Sequence, residues 1–180
     1  MRSTLFGLLL FSLAYLFSQN GDKRDEIQRL VHEIDSDTSY TVKVLENEDF
    51  LVRNEVTDNG QQIKGYFKRG DIEKIVYWVG VSYCTRTYQF YLANRSLMFV
   101  FEKEENYGMA RDSSNEWTGW DYAKLVLTFE GRYYFENGRM IGAKTWGKRL
   151  FDIDEGVDKE KLFLSMAIDF QSRLKNDKLE

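Results

Sequence analysis

Three short stretches of this chain repeat one another, and that repetition limits the fold more than any other feature. Aligned on a tyrosine they read YFKRGDI (66–72), YLANRSL (91–97) and YFENGRM (134–140). Each has Tyr, a large apolar residue, a variable residue, two turn residues, a second variable residue and an aliphatic. Asn137-Gly138 is the dipeptide favoured in a type I′ hairpin turn, where both central residues need positive φ. Arg69-Gly70 keeps the glycine. Asn94-Arg95 does not, so either Arg95 adopts the left-handed conformation or that turn is of another type. Hairpins in series predict an antiparallel meander.

A two-residue turn sets the register, and register sorts side chains between the two faces. With uninterrupted pairing, Phe67 faces Ile72, and Ile63, Val76 and Trp78 share their side. Leu92 faces Leu97, with Tyr88, Phe90, Phe99 and Phe101 beside them. Phe135 faces Met140, and Leu125, Leu127, Phe129 and Tyr133 carry the same face back along a long strand. One side of the sheet is then apolar throughout. YTVKVLE (40–46) alternates with period two and reads as a further strand, with FLVRNEV (50–56) pairing with it or following it.

Two helices flank these strands. DKRDEIQRLVHEI places Ile27, Leu30, Val31 and Ile34 on one stripe, with Asp22 as cap and His32 on the polar side. Near the C-terminus, Phe163, Met166, Ala167, Phe170 and Leu174 form a second stripe, capped by Asp158. The expected fold is α+β, an antiparallel β-meander of about six to eight strands with the N- and C-terminal helices packed on the apolar face.

Composition bounds the function. With 43% hydrophobic residues the chain can build a core, and its net charge of −4 gives nucleic acid no basic surface of the usual kind. Met1-Arg2 precedes the uncharged run LFGLLLFSLAYLF (5–17), which is too short to span a bilayer. The arrangement predicts a signal peptide over 1–18 and one secreted or periplasmic domain over 19–180, with no membrane span in the mature chain. Cys84 is the only cysteine and His32 the only histidine. An internal disulfide is therefore excluded, no metal site or cofactor is expected, and Cys84 reads as a small buried hydrophobe.

The face opposite the apolar one carries the candidate site. Register places Tyr66, Tyr91 and Tyr134 there, with Lys64, Gln89 and Arg132 nearby and Tyr77 as a further candidate. Tyrosine joins an apolar body to a polar tip, so such a row can stack on a ligand. Cross-strand packing explains the same residues, with Tyr91 opposite Met98 and Tyr134 opposite Ile141. Residues 103–120 read as a long polar loop carrying Trp117 and Trp120, which either contact a partner or fold back on the core. Asp152, Asp154 and Asp158 lack the spacing of a calcium loop. Glu102, Glu104, Glu105 and Asp121 could supply a carboxylate pair for a hydrolase, although nothing in the sequence positions one.

The hairpins, the leader and the closing helix resemble uncharacterised exported bacterial proteins built from Tyr-aromatic-x-Asn-Gly-x-aliphatic units. More loosely, the words GYFKRGDIEKIV, FYLANRSLMFVFE and FEGRYYFENGRMI are similar to variant MORN repeats. That resemblance implies an interaction surface and, in some bacterial members, an immunity or antitoxin role; it brings no catalytic residues. The expectation is an exported non-enzymatic binding domain for a protein, peptide or glycan. An immunity-like protein and a carboxylate-dependent hydrolase are the alternatives.

Overall fold

The sheet expected from the repeats is present, and its registers depart from the expectation in one systematic way. In a computed structural model, the protein is described for residues 23–47, 57–151 and 156–176. The leader 1–18, Asp22, the strand expected at 50–56, Asp152 and Asp154 lie outside the described residues. Residues 23–36 form helix α1. Ile27 and Val31 of its stripe are buried and His32 is exposed, while Lys23–Glu26 and Arg29–Glu33 pair along its polar side at 2.8 and 3.1 Å.

The strands are β1 (Thr41–Leu45), β2 (Gln61–Lys68), β3 (Asp71–Gly80), β4 (Cys84–Ala93), β5 (Ser96–Arg111), β6 (Trp117–Glu136) and β7 (Arg139–Gly147). They form one open seven-stranded antiparallel sheet in sequence order, with β1 and β7 at its edges. Helix α2 (Lys159–Asn176) follows.

The three repeats fold identically. Their turn residues all have positive φ: Arg69 at 52° and Gly70 at 87°, Asn94 at 50° and Arg95 at 66°, Asn137 at 51° and Gly138 at 73°. Arg95 thus occupies the left-handed region that the other two turns give to glycine. Past each turn one pair forms as expected: Phe67–Ile72, Leu92–Leu97 and Phe135–Met140. Then each return strand inserts one extra residue, Glu73, Met98 or Ile141, as a β-bulge.

Each bulge shifts the return strand by one position and moves the side chains beyond it to the other face. Ile75, Tyr77 and Val79 therefore join the core, and Val76 and Trp78 leave it. Val100 enters it, while Phe99 and Phe101 turn to the reverse face. Tyr77 is a core residue and not a candidate on the tyrosine face. Tyr91 lies opposite Phe99 and Tyr134 opposite Gly142, in place of Met98 and Ile141. A further irregularity in β6, at Thr128, leaves Leu125 and Leu127 off the core face, where they are 47% and 37% exposed.

Helix α2 covers the apolar inner face with the expected stripe. Phe163, Met166, Ala167, Phe170 and Leu174 are buried. The Phe170 ring lies 5.0 Å from Tyr77 and 5.6 Å from Phe90, and Phe163 lies 4.8 Å from Tyr133. Burying each large side chain contributes about 2–3 kcal/mol. Asp158 caps the helix, its Oδ1 accepting the Lys161 N–H at 3.2 Å, a bond that holds its carboxyl below the ordinary carboxylate range. Glu160 accepts the Met140 N–H at 2.6 Å, and at the other end the buried Lys43 Nζ donates to the Leu174 carbonyl at 3.0 Å. The helix is thereby pinned to β7 at its start and to β1 at its end.

Candidate functional sites on the two faces and the β5–β6 ribbon

The reverse, outer face is a grid of cross-strand rows. The first row runs Val42, Tyr66, Lys74, Tyr91, Phe99, Tyr134 and Gly142, each residue paired with the next. The three repeated tyrosines stand on one line because each immediately precedes the same pair-and-bulge unit. Lys74 Nζ sits over the rings of Tyr66 and Tyr91 at 5.7 and 5.0 Å, and Phe99 lies 5.7 Å from Tyr91 and 5.2 Å from Tyr134. Tyr66 is half-buried, but Tyr91 and Tyr134 are only 2% and 8% exposed. Those two phenols are packed side chains, so the row is not an open tyrosine platform along its whole length.

The next two rows are more accessible. One runs Val44, Lys64, Val76, Gln89, Phe101, Arg132 and Lys144; the other runs Gln62, Trp78, Thr87, Lys103, Glu130 and Trp146. Lys64, Trp78 and Phe101 are half-buried, and Lys144 and Trp146 are exposed. The Arg132 guanidinium lies 5.2 Å from the centre of the Phe101 ring and 3.3 Å from Glu130. Lys64 and Arg132 are thus on the expected face, and the bulges add Trp78 and Phe101 to them.

The expected loop at 103–120 is largely strand. Beyond Asn106 and Phe129, where β4 and β7 stop pairing, β5 and β6 continue together as a two-stranded ribbon. Its turn is short: Asp112 Oδ1 accepts the N–H groups of Ser114 and Glu116, and Asn115 takes a φ of 63°. Trp117 is 59% exposed with its ring 6.1 Å from Trp120, and Met109 and Tyr122 are each 58% exposed. The tryptophans stack edge to face on each other and not on the core. A two-stranded ribbon is marginal in water by itself. Its open β6 edge is broken by register shifts near Tyr107/Gly108 and Ala110/Arg111, a device that discourages strand addition.

The inner face also holds a charge cluster that sequence reading missed. Below the aromatic core, Glu102 and Glu104 are fully buried and Arg86 and Arg149 nearly so. Arg149 Nη2 lies 2.6 Å from Glu102 and Nη1 3.5 Å from Glu104, while Arg86 Nε lies 2.8 Å from Glu104. Tyr133 donates to Glu102 at 3.0 Å, and Lys159 of α2 stands 3.8 Å from it. Tyr133 folds over Gly131, directly opposite Glu102; a Cβ there would come within 2.6 Å of the tyrosine ring. Gly147, at φ 78°, turns the chain out of β7 so that Lys148 donates to Thr128 and Arg149 stacks 4.1 Å over Phe129.

Burial works against both guanidinium charges. For Arg86 the phenol of Tyr88 and the Glu104 carboxylate outweigh it, and for Arg149 the Glu102 carboxylate does, so both stay protonated with raised pKa values. The carboxylates are therefore tied down by cations on a covered face, an arrangement that couples β4, β5, β6, the segment after β7 and α2. Cys84, beside the cluster, is buried, and its thiol is pushed up to about 11 by burial, with Glu104 adding to the shift. At neutral pH it is an unreactive thiol.

Among the described residues no helix is long and apolar enough to cross a membrane. No family model, no curated protein and no solved structure matches this chain.

Proposed function

We propose that the protein is an exported, non-enzymatic interaction domain that meets its partner through the outer sheet face and the β5–β6 ribbon. The observation that supports this reading is the ribbon. It holds Met109, Trp117, Tyr122 and Leu125 at 47–59% exposure beyond the last pairs of β4 and β7, with Val126 and Leu127, 47% and 37% exposed, at its base opposite Asn106 and Glu105. Large apolar side chains gathered on a projecting element are a recurrent mark of contact surfaces. The resemblance to variant MORN hairpin arrays points the same way, as does the leader. The hydrolase alternative has less support, because Glu102 and Glu104 are engaged by arginines on the covered face.

The test is capture from exported fractions with the immobilised mature chain, compared with a Trp117→Ser/Tyr122→Ser/Leu125→Ser variant of unchanged melting temperature. A saturable partner retained by the wild type and lost by the variant is expected. Equal retention by both, or none by either, would count against the ribbon as a contact surface.

A further inference from the structure

We propose that the second and third rows of the outer face bind an acidic polysaccharide, an inference that rests on the interaction-domain reading and names its ligand class. Those rows hold Lys64, Lys103, Arg132 and Lys144; Glu130 lies among them 3.3 Å from Arg132, and Glu105 and Glu46 border them, 2.8 Å from Lys103 and 2.7 Å from Gln62. Cations outnumber carboxylates here, the reverse of the chain as a whole, which has 25 Lys and Arg against 29 Asp and Glu. Between the cations of these rows stand Trp78 and Phe101, whose rings lie on the same face.

Geometry decides among anionic partners. On a sheet face every backbone N–H and C=O is already used by neighbouring strands, so an extended peptide finds none of the main-chain pairing that it finds at an edge. A sugar ring needs none. It can lay its apolar face on the Trp78 indole while its carboxylate reaches an ammonium group or the Arg132 guanidinium, which stands 5.2 Å from the centre of the Phe101 ring. Lys64 on β2 and Arg132 on β6 are about 19 Å apart across the strands, room for several rings in a row. The repeat unit has a direct part in this surface, because the bulges at Glu73 and Met98 are what bring Trp78 and Phe101 to the outer face.

The experiment titrates the full mature chain with oligogalacturonate and follows tryptophan fluorescence at several salt concentrations. Dextran, poly-L-glutamate and oligo-dT are run in parallel. Oligogalacturonate is expected to bind with an affinity that falls as salt rises, and dextran not to bind. Lys64→Glu/Arg132→Glu should weaken binding roughly tenfold, from the loss of two charge contacts. Lys144→Glu, at the exposed edge strand, should act in the same direction without risk to folding. The inference is overturned if oligogalacturonate does not bind, if both charge variants bind like the wild type, or if poly-L-glutamate or oligo-dT binds more tightly. Failure here with ribbon-dependent capture intact removes the ligand class alone, whereas loss of both removes the interaction reading.

Discussion

Replacing Arg149 by methionine should cost more stability than most single changes elsewhere in the sheet. The guanidinium side chain is 6% exposed and touches two carboxylates that are wholly buried. Methionine keeps an unbranched apolar stem over Phe129, so packing is largely preserved and the loss is electrostatic. Glu102 would be left with the Tyr133 hydroxyl and with Lys159 at 3.8 Å. Breaking a buried ion pair from one side costs about 3–5 kcal/mol, a large part of the roughly 5–15 kcal/mol that holds a domain together. The melting temperature should fall by roughly 10 °C. Urea denaturation followed by tryptophan fluorescence measures the change, with the slope against urea expected to stay constant. Adding Glu102→Gln removes the stranded charge, so Arg149→Met/Glu102→Gln should be more stable than the sum of its parts by at least about 1 kcal/mol. A loss below about 1 kcal/mol for Arg149→Met, or strict additivity, would show that the cluster is not a buried electrostatic tie.

Three further outcomes are expected. Stability should decline between pH 9 and about 11, because the unfolded chain releases the Cys84 proton near 9.0 while the folded thiol holds it until about 11; Cys84→Ala should remove that part of the slope in urea titrations at each pH. Arg95→Gly should stabilise the protein by about 0.5–1 kcal/mol, since relief of a left-handed arginine exceeds the loss of an exposed pair with Asp71, and a destabilisation would mean that the turn is not type I′. Lys43→Met should cost about 1.5–3 kcal/mol and speed amide exchange in the last turn of α2, because the charged bond to the Leu174 carbonyl is lost; unchanged exchange there would refute the pinning role.

Much of the fold can be read from the turns. Glycine or asparagine at the positive-φ positions gives away the hairpins, and the stripe Phe163 to Leu174 identifies the covering helix residue by residue. The bulges are silent because their extra residues, Glu73, Met98 and Ile141, are ordinary in character, and nothing in their chemistry separates them from paired neighbours. Parity fails from there on, which is why Val76, Trp78, Phe99 and Phe101 change faces. The same error hides the charge cluster: once Met98 is set aside, Val100, Glu102 and Glu104 alternate inward and Glu104 meets Arg86 across the strands. The ribbon was obscured differently. Its polar, glycine-containing sequence resembles a loop, yet pairing carries through it with register shifts that absorb the irregular residues.

The make-up of both faces depends on where the bulges fall, and nuclear Overhauser contacts across the strands report this directly. Contacts between Tyr91 and Phe99, Phe99 and Tyr134, and Tyr134 and Gly142 are the predicted result, with Val100 instead near Phe90. Direct pairing of Tyr91 with Met98 and of Tyr134 with Ile141 would contradict the account, returning Phe99 and Phe101 to the covered face.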